Sequence, residues 1–180
     1  MVRPLPDEVI LGLLKAQPTH GYELLEYFRS RTHLGHIWTM STSQLYAVLK
    51  RLEREGAIEG QEVAVQNAPT RVEYSVTETG LHQLETWLFD PHPSSSIHRI
   101  RVLFLSRIYL ANLLVLSPEQ IIKAQIQACQ LQKEKFIEQK KRYRSDIELL
   151  TIEFVIQQLD SAIGWLKSSQ FNFTIFSKEA

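Results

Sequence analysis

The sequence predicts a mostly α chain with one small β-hairpin: a winged helix-turn-helix followed by long C-terminal helices. Three observations lead there. Apolar residues recur at helical spacing in three short segments before Gly56. The period then drops to two on either side of a turn, which is the pattern of a hairpin. After Pro93 the chain holds only Gly164 and Pro118 as helix breakers, so long helices are expected there.

In the first helix, Asp7 to Lys15, Val9, Ile10, Leu13 and Leu14 share one face. Gln17-Pro18 ends it, because the residue before proline avoids helical backbone. Thr19 is placed to cap a second helix reaching about Arg31, with Leu24, Leu25 and Phe28 inward. Thr32 to Met40 reads as a loop. Ser41 and Gln44 form a capping box for a third helix, whose buried stripe is Leu45, Val48, Leu49 and Leu52 and whose stop is Gly56. Ala57–Val65 and Arg71–Val76 alternate as strands around the turn Gln66–Thr70. Thr77 or Thr79 caps a fourth helix carrying Leu81, Leu84 and Leu88.

The Pro/Ser stretch Asp90–Ser96 divides the chain into a winged helix-turn-helix, residues 1–92, and a helical region, residues 93–180. In the latter a helix runs from Ile97 to about Val115. A second opens at Ser117-Pro118-Glu119 and carries an apolar seam through Ile122, Ile126, Cys129, Phe136, Tyr143, Ile147 and Leu150. Lys133 and Lys140 interrupt that seam, so it is no regular coiled coil. A last helix shows Ile152, Val155, Ile156, Leu159, Ile163 and Leu166, with the turn between the two near Ser145.

Composition narrows the function. The 180 residues carry 20 Lys+Arg and 20 Asp+Glu, which excludes a globally basic coat for nucleic acid. The single cysteine, Cys129, excludes an internal disulfide and a Cys-based zinc site, and suits a reducing cytoplasm. Residues 1–7 lack the apolar stretch of a signal peptide. The most apolar run, Val102–Leu116, is too short for a bilayer and includes Arg107 and Asn112, so no membrane association is expected. No phosphate-binding glycine loop or Gly-x-Ser-x-Gly elbow is present, and Cys129 sits on an apolar seam. His20, His33 and His36 lack the carboxylates or thiols of a metal site and read as loop polar groups near DNA. No enzyme, metal or cofactor is implied.

Charge is distributed unevenly. Residues 1–92 carry eight basic and twelve acidic groups, yet between Glu26 and Glu53 stand Arg29, Arg31, Lys50 and Arg51 and no acid, a local charge of +4. Double-stranded DNA requires such a field, because phosphate neutralisation supplies much of the affinity. Ser41, Thr42, Ser43, Gln44, Tyr46 and Lys50 line the front of the third helix, whose first turn would enter the major groove. Hydroxyls suit phosphates and base edges, and Gln can pair bidentately with adenine. For Ser41 and Gln44, capping competes with that role. Arg71, after the wing turn, is placed for phosphate or the minor groove, or else for a cross-strand Glu such as Glu62.

Ile10-Leu11-Gly12-Leu13-Leu14, His20-Gly21-Tyr22-Glu23-Leu24, the run Ser43–Gly56 and the run Arg71–Gly80 together resemble the PadR family of transcriptional regulators over about residues 5–90. Trp165-Leu166 is similar to the longer PadR subfamily with a dimerising helical C-terminal region. The resemblance implies a homodimeric, usually repressing, cytoplasmic protein that reads an inverted repeat. It also implies that a small aromatic effector is among the signals to test. Tyr22, Trp87, Phe104 and Trp165 are candidate lining for an effector pocket where the two regions meet; packing in core and dimer interface is the plainer role for each. The rival reading is a winged-helix module that binds protein rather than a DNA sequence. The +4 segment and Arg71 argue against it.

Overall fold

The computed structural model describes residues 7–64 and 71–176, with side-chain surroundings given as far as Ser168. The chain forms two compact units: Met1–Phe89 with Leu105–Leu116, and Asp90–Phe104 with Ser117–Ala180.

In the first unit α1 (Glu8–Ala16) buries Val9, Ile10, Leu11, Gly12, Leu13 and Leu14. Sequence periodicity gave it one apolar face. It is instead covered around most of its circumference, because α4 (Glu78–Leu88), β3 (Arg71–Val76) and α6 (Leu105–Leu113) all pack on it. Leu110 of α6 lies so close over Gly12 that an added Cβ would come within 2.7 Å of both its methyls. Thr19 and His20 form a short strand, β1, paired antiparallel with the third strand through Thr19↔Tyr74 and His20↔Glu73. Thr19 is therefore not the cap of α2 (Gly21–Arg29); its hydroxyl donates to the Glu23 carboxylate. Two residues are too few to display an alternating period, so β1 was invisible in the sequence.

α3 (Thr42–Arg54) starts at the expected capping box. Ser41 Oγ accepts from Gln44 N at 3.3 Å, and Gln44 Oε1 accepts from Ser41 N at 2.9 Å. It ends at Gly56, whose φ of +70° places it in the left-handed region. The bonds Gly56 N to Glu53 O and Ala57 N to Leu52 O complete the cap. β2 (Ile58–Val63) pairs antiparallel with β3 (Arg71–Val76), giving the strand order β1-β3-β2. The expected turn Gln66–Thr70 lies outside the described residues. α4 (Glu78–Leu88) is capped by Thr77, which accepts from Gly80 N at 3.2 Å and donates to Gly56 O at 2.6 Å.

The sequence reading placed everything after Pro93 in one helical region. Residues 105–116 instead belong to the first unit. α6 (Leu105–Leu113) buries Ser106, Arg107, Ile108, Leu110 and Ala111 there. Periodicity shows that this run must be buried, but not which partner buries it.

In the second unit, α5 (Ile97–Arg99) leads into a π-helical turn, Ile100–Phe104. α7 (Glu119–Lys140) and α8 (Asp146–Phe176) form a hairpin whose turn falls where expected. Ile121, Ile122 and Cys129 of α7 and Ile152, Leu159, Ile163 and Leu166 of α8 are buried. Lys133 and Lys140, which break the α7 seam, reach Asp160 at 2.5 Å and Glu153 at 2.6 Å on α8. Ile147 and Leu150 are 67% and 64% exposed, so the seam does not continue through them. The period restarts after the turn. Among the described residues, no helix is long and apolar enough to cross a membrane.

Candidate nucleic-acid interface

α3 has two faces. Leu45, Val48, Leu49 and Leu52 are buried, while Ser41, Thr42, Ser43, Gln44, Tyr46 and Lys50 are exposed. The buried stripe fixes the rotation of the helix, and that rotation leaves the polar residues facing solvent as a group. Ser41 and Gln44 spend one side-chain oxygen each on the capping box, and Ser43 Oγ lies 3.1 Å from Ser41 Oγ, so the front of the helix is free chiefly at Tyr46 and Lys50. Arg29 of α2 reaches Thr42 Oγ1 at 3.4 Å.

A groove of about 550 Å³ lies between the start of α2, α3 and β3. Tyr46, Arg71, His20, Tyr22 and Tyr74 line it. Tyr46 leans over Gly21, where a Cβ would stand 3.0 Å from its hydroxyl. His20 Nδ1 donates to Val72 O at 3.1 Å, which ties the groove floor to the wing. Burial raises the Tyr74 phenol above its ordinary value, with smaller contributions from Glu53 and Tyr46, so it stays a neutral donor. Arg71 stands opposite Val63 at the exposed start of β3, and Glu62 is paired with Val72 instead. Among the described residues Arg71 has no ion-pair partner, so its guanidinium faces the groove uncommitted.

The +4 segment is partly neutralised. Arg51 donates two hydrogen bonds to Asp7, and Arg29 pairs with Glu26 at 3.3 Å. Among the described residues Arg31 and Lys50 make no ion pair. The field on this face therefore comes from Lys50, Arg31 and Arg71 more than from the local count.

Of the four residues read as effector lining, Tyr22 belongs to this outer groove and is 65% exposed. Trp87 does not line that groove; it carries the Arg107 guanidinium 4.9 Å above its ring. Within the second unit, Phe104 and Trp165 meet edge to face at 5.9 Å. His33 was read as a polar group near DNA. It instead shares a 2.9 Å hydrogen bond with Tyr109 Oη and lies against Tyr27. Sequence reasoning missed this partner because α6 was assigned to another region. It also missed Trp38, whose indole N–H donates to buried Ser106 Oγ at 2.9 Å. A lone tryptophan in a loop was the available signal.

Three helices, an antiparallel wing and a polar helix face beside Arg71 at the start of β3 have the layout of a winged helix-turn-helix. Residues 10–86 match the transcriptional regulator PadR-like family. The chain is 33% identical over 84 residues to the negative transcriptional regulator PadR of Bacillus subtilis (strain 168), covering 47% of this chain and 45% of that protein. It is 26% identical over 87 residues to a probable transcriptional regulator of Mycobacterium tuberculosis, covering 48% and 44%. The matched stretch thus spans about half the length of these curated relatives. Among solved structures, Bacillus subtilis PadR in complex with operator DNA is similar at a TM-score of 0.47 and 21% identity, covering 91% of this chain and 95% of that one. The PadR-like match covers residues 10–86, a little under half of the chain.

Proposed function

We propose that this protein is a dimeric, DNA-binding transcriptional repressor that reads an inverted repeat with α3 and the wing. The observation that carries the reading is the exposed set Thr42, Ser43, Tyr46 and Lys50 on α3 beside Arg71 on β3. Lys50 and Arg71 neutralise phosphates. Thr42, Ser43 and Tyr46 reach base edges in the major groove, with the spare Gln44 amide as a further donor. Tyr22, in the same groove, joins this surface. The PadR-like match of residues 10–86 supports the assignment, and the similarity to the negative transcriptional regulator PadR of Bacillus subtilis supports repression.

Dimerisation is assigned to the second unit. Ile147, Leu150 and Phe154 form an exposed apolar face on α8, at 61–67% exposure. A second copy covering that face would place two reading heads about a two-fold axis, the symmetry of an inverted repeat. A small aromatic effector is the natural candidate signal. A solved structure similar to this chain is the Bacillus subtilis PadR complex with p-coumaric acid, and here Trp165, 45% exposed, packs edge to face on buried Phe104. The domain division of residues 1–92 for reading DNA and 93–180 for pairing stands as a functional proposal, although residues 105–116 pack with the reading head.

The test is selection of duplexes from a random-sequence pool, followed by gel shift at several salt concentrations. Enrichment of a two-fold symmetric sequence supports the reading. Binding to a protein partner with no enriched duplex would favour the protein-interaction alternative.

A further inference from the structure

The link between α2 and α3 runs from Ser30 to Ser41. That is far longer than the three or four residues that ordinarily join the two helices of this motif. A connection of this length does not by itself fix the angle between them, so something else must hold it. Its own bonds are local: His33 N and Gly35 N donate to Ser30 O at 3.2 Å, Thr32 N donates to Ser30 Oγ at 3.3 Å, and Ile37 N and Trp38 N donate to Leu34 O at 2.8 and 3.0 Å around a single 3₁₀ turn, Leu34–His36. The anchors from outside the link come from α6. Trp38 is buried, packs with its ring tilted against Phe28 of α2 at 4.7 Å, and donates its indole N–H to Ser106, which is fully buried. One turn further along α6, Tyr109 Oη bonds His33 Nδ1. The α6 helix is itself seated on α1, where Leu110 covers Gly12. Both anchors sit upstream of the Ser41 cap, where the direction of α3 is set.

We infer that α6 is the positioning element of the DNA-reading surface, with Ser106 and Tyr109 acting through Trp38 and His33 to set the placement of α3. None of these four side chains lies on the exposed face of α3 or in the groove beside it. Their role is to remove the freedom of a long connection, so that the exposed side chains of α3 arrive in one geometry. Sequence-specific binding depends on that geometry. Phosphate attraction depends on it far less, because a charge tolerates displacement that a base-edge hydrogen bond does not. The inference rests on the proposed DNA-binding function, and the experiment below separates the two.

Tyr109→Phe removes one hydroxyl at constant shape, and Ser106→Ala removes the other anchor. Two measurements are made on the full-length protein. In hydrogen exchange, both variants should exchange faster across residues 33–41 while α1 keeps its protection. In gel shift against the duplex enriched from a random pool, each should lose about tenfold in affinity, with random duplex bound as before. The dependence on salt should be unchanged, because no phosphate contact is lost. Trp38→Phe combined with Ser106→Ala should be no worse than Trp38→Phe alone, as expected for two halves of one bond. Unchanged exchange over residues 33–41 in both variants overturns the inference, whatever the DNA result. So does faster exchange with affinity for the enriched duplex intact. Failure of the wild-type protein to enrich any duplex would overturn the DNA reading instead, and the exchange data would still decide whether α6 holds the loop.

Discussion

Asp7, at the threshold of α1, accepts two hydrogen bonds from the guanidinium of Arg51 near the end of α3, the Nε bond measuring 2.8 Å. The carboxylate is 5% exposed. This hydrogen bond is the largest cause holding the Arg51 guanidinium above its already high ordinary value, so it is charged at every usable pH. One of the four cations that stand between Glu26 and Glu53 is therefore a tie between the first and third helices.

It follows that Arg51 and Lys50, adjacent in sequence, have different tasks. Arg51→Ala leaves a buried carboxylate without its guanidinium and should cost about 2 kcal/mol, discounted for the partial exposure of the arginine. A chemical denaturation midpoint will show this. Lys50→Ala should leave the midpoint within about 0.5 kcal/mol of wild type.

For DNA the order reverses. Lys50→Ala and Arg71→Ala should weaken binding to all duplexes and flatten the salt slope by about one unit each. Thr42→Ala and Tyr46→Ala should cost more for the selected duplex than for random DNA. Unchanged affinity in all four variants would contradict the placement of the reading surface.

Two helix ends share one backbone solution with different residues. α3 closes on Gly56, and α6 closes on Val115 with φ of 55° and the bonds Val115 N to Asn112 O and Leu116 N to Ala111 O. A β-branched residue is strained there, and at 85% exposure it gains little from packing. Val115→Gly should therefore raise stability by about 1 kcal/mol, or a few degrees in Tm. A lower Tm would mean that the side chain is covered in the assembled protein.

Cys129 is fully buried, and burial pushes its thiol above the ordinary value against a smaller opposing effect of the Gln125 bond. A raised folded-state pKa favours the neutral thiol. The stability it contributes is present below the unfolded thiol value and is lost as pH rises through the folded one. At neutral pH the native protein should resist iodoacetamide and react on unfolding. Fast labelling of the native protein would place the α7–α8 hairpin open in solution.

The legible part of the molecule was the part whose signals are local. Ser41 and Gln44 announce a helix start within four residues, and Arg71–Val76 alternates cleanly. What escaped depends on distant partners. β1 has two residues and exists because β3 offers an edge to Thr19 and His20. The α6 stretch was recognised as apolar, but its home beside Gly12 is a matter of tertiary fit. The site followed the same rule. The exposure of Tyr46 and Lys50 on α3 and the position of Arg71 at the start of β3 were readable from the helix period and the strand pattern. Tyr22 was assigned to a pocket when it lines the outer groove, because one helical residue's direction depends on where β3 lies.

Pairing through α8 has a direct test. Leu150→Glu with Phe154→Glu adds charge to exposed positions, so the α7–α8 core of Ile152, Leu159 and Ile163 stays intact. Light scattering should find a dimer for wild type and a monomer for the variant at micromolar concentration. A wild-type monomer would remove the dimer from the account.

The central claim is that α3 and the wing read a symmetric DNA sequence, and it is tested most directly by sequencing the duplexes that the full-length protein retains from a random pool. The account predicts one enriched motif with two-fold symmetry and half-sites about one helical turn, roughly 34–36 Å, apart. It further predicts that Tyr46→Ala and Thr42→Ala blur that motif, while Lys50→Ala lowers its yield without changing its letters. A retained pool with no enriched sequence would contradict it.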